Sequence, residues 1–482
     1  MMRIQNPRLR QGYGGQAKFK IKNCDRGAII TMVLVFGAIF VFLFSGMAGF
    51  VTTQYRQIIQ KVAINEALAM AEAGANYARW HLAHAPNDFG FSGVYDYRDP
   101  EGGLIGQYSL EITQPGECST MIEIKSVGWA SNRPNAKRTI LVRYGRPSLA
   151  QYSFLTNSDV WFGENEELQG PFHSNGGIRM DGTQNALSTS AKETYTCQPM
   201  HGCSPAQTKP GIWGTGNGNA EGLWEFPVPS VDFNAITTDL AQLKTRAQNG
   251  GYYFGPSGSF GYHIKLKNDG TFDLYRVTRL RANVNGRDTQ GVLRNESNDF
   301  DRESFIANYA LAEGQCGVQN LVFVEDTKVW VDGATDEKAT IVAARFPDNP
   351  ATNASIIING NITRADPKAT MIALIAQKNI LVPLYSPNVL EIQAVMVAQK
   401  GAVQRYYYSS SYNPYHTRNR IMVRGSIITN QVWTWSWVNS SGQVISGYQN
   451  TESYYEPALI YDPPPFFPTS GDLQFVSWEE IQ

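Results

Sequence analysis

The chain has 482 residues, rich in Gly, Pro and aromatics and with only 17% charged residues. That composition suits a β-rich, loop-rich exterior protein and argues against a helical cytosolic enzyme. The net charge of -1 hides a basic leader, seven Lys/Arg against one acid in residues 1–27. The remainder is therefore acidic, and a nucleic-acid partner is not expected, because phosphate affinity is built on Lys and Arg.

No charged residue occurs from Gly27 to Tyr55. A spanning helix needs roughly 20 apolar residues, whereas a cleavable secretory core has about 7–15. The run therefore predicts a membrane helix, with the basic leader cytoplasmic and the rest exported. Conventional cleavage near Ser45–Gly49 is the rival reading. Beyond Tyr55 the helical pattern continues: Ile64, Leu68, Ala71, Ala75, Ala78 and Leu82 recur at steps of four and three. Much of this face is small, so it is expected to admit a neighbouring helix closely, as an assembly face. Pro86 closes the pattern. From Ala28 to His84 the helix would be roughly 85 Å long.

Arg26-Gly27 followed by an apolar helix, then "NEALAMAEAGANYA" (Asn65–Ala78), resembles the N-terminal region of PilX-like type IV pilus assembly proteins. The resemblance implies a prepilin peptidase cutting between Gly27 and Ala28, insertion in the inner membrane, and other pilins as filament partners. Major pilins carry Glu at the fifth mature position. Here that position is Met32, which points to a minor or tip subunit rather than the bulk fibre.

Residues 105–145 alternate apolar and polar side chains and predict about three antiparallel strands. Arg146-Pro147 reads as a boundary. The expected division is a leader at 1–27, a helix at 28–86, a small β region at 87–146 and an exported domain at 147–482. In that last domain, short apolar runs such as "ATIVAA", "TMIALIAQKNILV" and "LEIQAVMVAQKGAV" end in polar or Gly corners. They suggest a sandwich or a solenoid, and we expect a right-handed β-helix. The fold class is thus α+β. "GPFHSNGGIRMDG", "LIAQKNILV" and the ending "YDPPPFFP…VSWEE" also resemble the exported body attached to PilX-like helices. An insertion is expected at about 203–315, with a short helix marked by Phe233, Ile236, Leu240 and Leu243 and a hairpin turned at Asp269-Gly270.

No HExxH, CxxC pair or P-loop is present, so no metal, cofactor or catalytic residue is assigned. His173 reads as structural. Asn295, Asp299, Asp301 and Glu303 read as a solvated acidic loop, with Ca²⁺ binding the weaker alternative. Cys24 lies in the leader. Cys118, Cys197, Cys203 and Cys316 would be exported, where Cys197 and Cys203 are close enough for a disulfide, leaving Cys118 with Cys316. Buried free thiols are the bland alternative. Tyr406, Tyr407, Tyr408, Tyr412 and Tyr415 form a tyrosine-rich loop that is a candidate surface-binding site.

The expected function is a non-enzymatic minor pilin-like component displaying a β body at the cell surface. The alternative is a membrane-anchored β-helix enzyme or binding protein acting on surface polysaccharide.

Overall fold

The computed structural model describes residues 26–115, 119, 121–164, 166–216, 221–233, 235–312, 317–364, 371–439, 442–460, 462–469 and 473–481. Residues 1–25 of the leader and the Cys118–Cys316 pairing lie outside them.

One helix, α1, spans Arg26–His84. No proline interrupts it before Pro86, and His81 and His84 occupy its last turn, where cations suit the negative helix end. The second half of α1 lies on a five-stranded antiparallel sheet. Four strands follow the helix directly: β1 (Gly93–Arg98), β2 (Leu104–Thr113), β3 (Met121–Ala130) and β4 (Lys137–Gly145). Inward Ile122, Ile124, Ile140, Val142 and Tyr144 pack with Ala71, Ala75, Ala78 and Leu82 of the helix.

That packing corrects the expectation for the helix face. Ala71, Ala75, Ala78 and Leu82 are wholly buried, and Ile64 and Leu68 half-buried, against the chain's own sheet rather than against a neighbouring helix. Small side chains admit close approach of any backbone, and here the sheet takes it. A Cβ at Gly128 of β3 would lie 2.2 Å from Ala71 N and 2.3 Å from Ala67 O.

The fifth strand comes from the far end of the chain. Gln474–Ile481 pairs antiparallel with β4. Phe475 meets Tyr144 at 5.6 Å between ring centroids, and the Arg79 guanidinium lies 5.3 Å over the Phe475 ring. The connections to the intervening body run side by side, with Leu149 N–H donating to Pro468 O. The body is thus inserted between two adjacent strands of the small sheet, which a boundary at 146 does not anticipate. Deleting residues 473–482 is expected to strip the edge of β4 and unseat the end of α1. Limited proteolysis checks this: new cleavage within residues 121–145 is the expected result.

The body is mostly β. One ladder of parallel strands runs through Leu321–Val324, Ala339–Ala343, Ile372–Ala376, Val389–Ala398, Thr417–Thr429, Phe154–Thr156, Phe172–Ser174 and Ser188–Ser190. A second runs through Tyr262–Leu266, Lys328–Thr335, Ser355–Arg364, Ile380–Leu381 and Val403–Gln404. Spatial order departs from chain order in the first ladder, because the Thr417–Thr429 strand docks on Phe154–Thr156. The chain enters mid-ladder, runs outward to Trp224–Glu225, returns through the helix α2 (Ala235–Gln248), and restarts at Tyr252–Phe254 beside Leu321–Val324.

Apolar residues stack in register on both faces of the first ladder, which is why its strands read as continuous apolar runs. Val322, Ile341, Leu374, Met396, Ile427, Phe154 and Phe172 form one buried row. Phe323, Val342, Ile375, Val397, Ile428 and Leu155 form the opposite row, with Leu240, Leu243 and Ala247 of α2 in the same core. The Asp269-Gly270 hairpin joins Tyr262–Leu266 to Thr271–Leu280, with Gly270 at φ +70. Part of the expected insertion is therefore built into the ladders: Tyr262–Leu266 pairs in parallel with Lys328–Thr335.

Candidate functional site

Among the described residues, the first half of α1 is not packed against the rest of the chain. From Ile29 to Ile58 its large apolar side chains stand exposed, Phe42 at 80% and Phe44 at 68%. A helix apolar all round belongs in a protein core or a bilayer. Thr52 and Thr53 turn their hydroxyls back onto Ala48 O and Gly49 O, so neither requires water. Among the described residues this is the one helix long and apolar enough to cross a membrane. Gly27 and Ala28 lie in its first turn. Replacing Phe40 and Phe44 together by Arg is expected to cost about 3 kcal/mol of insertion per charge. Alkaline extraction of membranes checks this, with the double variant leaving the pellet while the wild type stays.

The tyrosine-rich loop is mostly not surface. Tyr406 is 4% exposed and donates its hydroxyl to Glu296 Oε1 at 2.8 Å; Tyr408 is 1% exposed. Burial pushes both phenols far up from their ordinary value. Arg405 is wholly buried beside them, its guanidinium between the rings of Tyr408 and Tyr448. Tyr407 is half-buried against Trp437, and Tyr412 Oη accepts the Asn285 N–H at 2.8 Å. Tyr415 alone of the five is exposed, edge-on to Tyr385 at 4.8 Å.

The acidic segment is not a solvated loop either. It forms Leu293–Glu296 and the long strand Phe300–Ala310. Asp301 pairs with Arg279, and Glu303 with His263. Asp299 is 8% exposed, and burial raises its carboxyl to about 6 against the pull of Arg281, Arg405 and Arg418.

His263 is clasped between two strands. Its Nδ1 lies 2.7 Å from Glu303 Oε2 and its Nε2 lies 3.3 Å from Asp332 Oδ1. Burial disfavours the imidazolium, but hydrogen bonds and charge from Asp332 and Glu303 outweigh it, raising the group from 6.5 to about 9. A raised folded value means stabilisation present in full below 6.5 and lost as pH rises through about 9. Melting temperature followed from pH 6 to 10 is expected to fall across that window. In His263→Gln the fall should flatten.

His173 is buried and makes no hydrogen bond to Asp181. Its ring nitrogens contact Thr189 Oγ1 at 2.8 Å and Asn175 Oδ1 at 3.0 Å, and burial lowers its pKa. Asp181 instead pairs with Arg179 at 2.7 Å. Cys197 and Cys203 are joined by a disulfide, with Cα atoms 5.7 Å apart. No three His, Cys, Asp or Glu residues converge as a metal site would require among the described residues.

One feature escaped sequence reasoning. Asn157, Asn175 and Asn430 each follow the end of a ladder strand and line one polar groove with Asp159 and Lys192. The signal was a repeated Ser/Thr-Asn after an apolar run: "FLTN", "FHSN" and "IITN".

No family model and no curated protein matches this sequence. Among solved structures the chain is similar to the competence-associated pilin ComZ from Thermus thermophilus, at 12% identity and a TM-score of 0.30. The alignment covers 87% of this chain and 98% of that one. An overlap so loose decides neither fold nor role.

Proposed function

We propose that the chain is a non-enzymatic, PilX-like minor pilin component of a type IV pilus or related filament. Its leader stays cytoplasmic, a prepilin peptidase cuts between Gly27 and Ala28, and α1 passes from the inner membrane into the filament. The observation that carries the reading is the division of α1. One half is apolar all round and exposed, while the other is seated on a small antiparallel sheet. The bare half is where other pilins would pack, since its large apolar side chains stand exposed among the described residues. The buried face from Ala71 to Leu82 then fixes the sheet to the helix and has no direct part in filament contacts.

The body is displayed outside, where it adheres to a surface. We read it as a right-handed β-helix. Its strand network closes on itself, as a barrel's does. Yet Ala339–Ala343 lies parallel between Leu321–Val324 and Ile372–Ala376, two ladder steps that skip the strands intervening in sequence. That skipping is what stacked coils require.

Shearing of cells that make the protein tests the filament role. The mature chain is expected in the sheared filament fraction, and Gly27→Asp should confine it, uncut, to the membrane. Absence from sheared filaments alongside abundant membrane protein would sink the proposal.

A further inference from the structure

Four coils of the body meet along one open groove of about 760 Å³. Thr429, Thr156, Ser174 and Ser190 lie in one register row. The residues that follow them, Asn430, Asn157, Asn175 and Ala191, form the floor, and residues 230–233 form the facing wall. At strand spacing, three steps make that floor roughly 14 Å long.

The floor is held from behind. Asn175 Oδ1 accepts from Val231 N–H at 2.8 Å and contacts the buried His173. Its Nδ2 donates to Val231 O at 2.7 Å and to Asn157 Oδ1 at 2.8 Å. One amide thus clamps the wall to the floor and orients its neighbour. Asp159 Oδ1 accepts the Gly177 N–H at 2.7 Å. Left without protein partners, among the described residues, are Asn157 Nδ2, Asp159 Oδ2, the Asn430 amide and the Lys192 ammonium.

We propose that this groove binds a linear, neutral glycan. The proposal rests on the reading of the body as an exported module. The unpaired groups include donors (Asn157, Lys192), an acceptor (Asp159) and one group that is both (Asn430). A hydroxyl both donates and accepts, so a polyol answers all four. The groove offers no deep apolar pocket, since Phe233 is 6% exposed, and so lacks the anchors that peptide recognition uses. The charged side chains of the lining are Asp159, Asp232 and Lys192, two carboxylates to one cation, a composition that does not recruit a polyanion. The repeat of amides along the coils matches a chain of like units rather than a compact ligand.

Isothermal titration of the full chain in detergent tests this. The probes are glucan, mannan, galactan and N-acetylglucosamine oligomers of roughly three units, sized to the floor, with a uronate oligomer as the charged control. At least one neutral probe is expected to bind, and the uronate more weakly. Asn430→Ala and Asp159→Asn should each weaken binding roughly tenfold, one lost hydrogen bond to a charged or amide group. Neither should alter the fold, because the Asn430 side chain is unbonded and Asn at 159 still accepts from Gly177. The proposal is overturned if no neutral probe binds, if both variants bind as the wild type does, or if the uronate binds tighter. The filament reading stands or falls separately, because titration in detergent is indifferent to where the leader is cut.

Discussion

Arg405→Leu is expected to lower the stability of the body by about 3–5 kcal/mol. The guanidinium is wholly buried. It donates to Pro383 O, to Leu384 O at 3.2 Å, to Tyr415 O at 2.8 Å and to Ser386 Oγ at 2.9 Å. Among the described residues no carboxylate comes within ion-pairing distance of it, so backbone carbonyls carry most of its compensation. Leucine fills similar apolar volume but leaves those acceptors dry and unbonded, each costing about 1–3 kcal/mol. It also removes one of three cations that offset the buried Asp299. Arg405→Lys should fall between, since a single ammonium cannot reach three carbonyls from one point. Thermal melting followed by tyrosine fluorescence reads the effect, because Tyr408 and Tyr448 flank the guanidinium. A melting temperature unchanged in Arg405→Leu would show that the loops at 383–386 and 415 hold without their anchor.

Gly128→Val is expected to separate α1 from its sheet, at a cost of about 3 kcal/mol or more. A Cβ at that position meets Ala71 N, Ala67 O and Met70 C within 2.8 Å. All three are backbone atoms in the middle of a helix, so no rotamer change relieves the clash. Gly74 and Gly106 are milder, because most of the atoms they would meet belong to the side chains of Tyr108, Ser126 and Met70, which can give way. Limited proteolysis should then cut the Gly128→Val protein between residues 64 and 84, which the sheet shields in the wild type. The melting of the body is expected to stay as it was, because its cores are separate from the helix–sheet core. Equal protease resistance in the two proteins would mean that the helix has room to shift along the sheet.

Patterns confined to neighbouring residues were legible in the sequence. The length of α1, the Asp269-Gly270 turn and the proximity of Cys197 to Cys203 depend on local spacing alone. What the helix face would meet was not legible, because an alanine stripe suits a helix and a sheet equally until Gly128 is placed opposite Ala71. Nor was the pairing of Gln474–Ile481 with β4, whose partner lies more than three hundred residues away. The tyrosine-rich loop misled because Ser, Asn and Pro follow Tyr406 and Tyr408 and read as surface. What covers those rings is distant in sequence: Glu296, and a core that includes Val277, Val284 and Trp330. The groove was half legible: the Ser/Thr-Asn repeats were visible, but their alignment depends on Thr417–Thr429 docking beside Phe154–Thr156, an order the chain does not follow.

The central claim is that α1 serves as a filament helix, and the N-terminus of the mature chain tests it most directly. Peptide mass spectrometry of the protein recovered from membranes or sheared filaments identifies that residue. A chain beginning at Ala28 is the predicted result. A chain that keeps its leader, or begins near Ser45–Gly49, would contradict the claim and leave α1 as a plain anchor or a secretion signal.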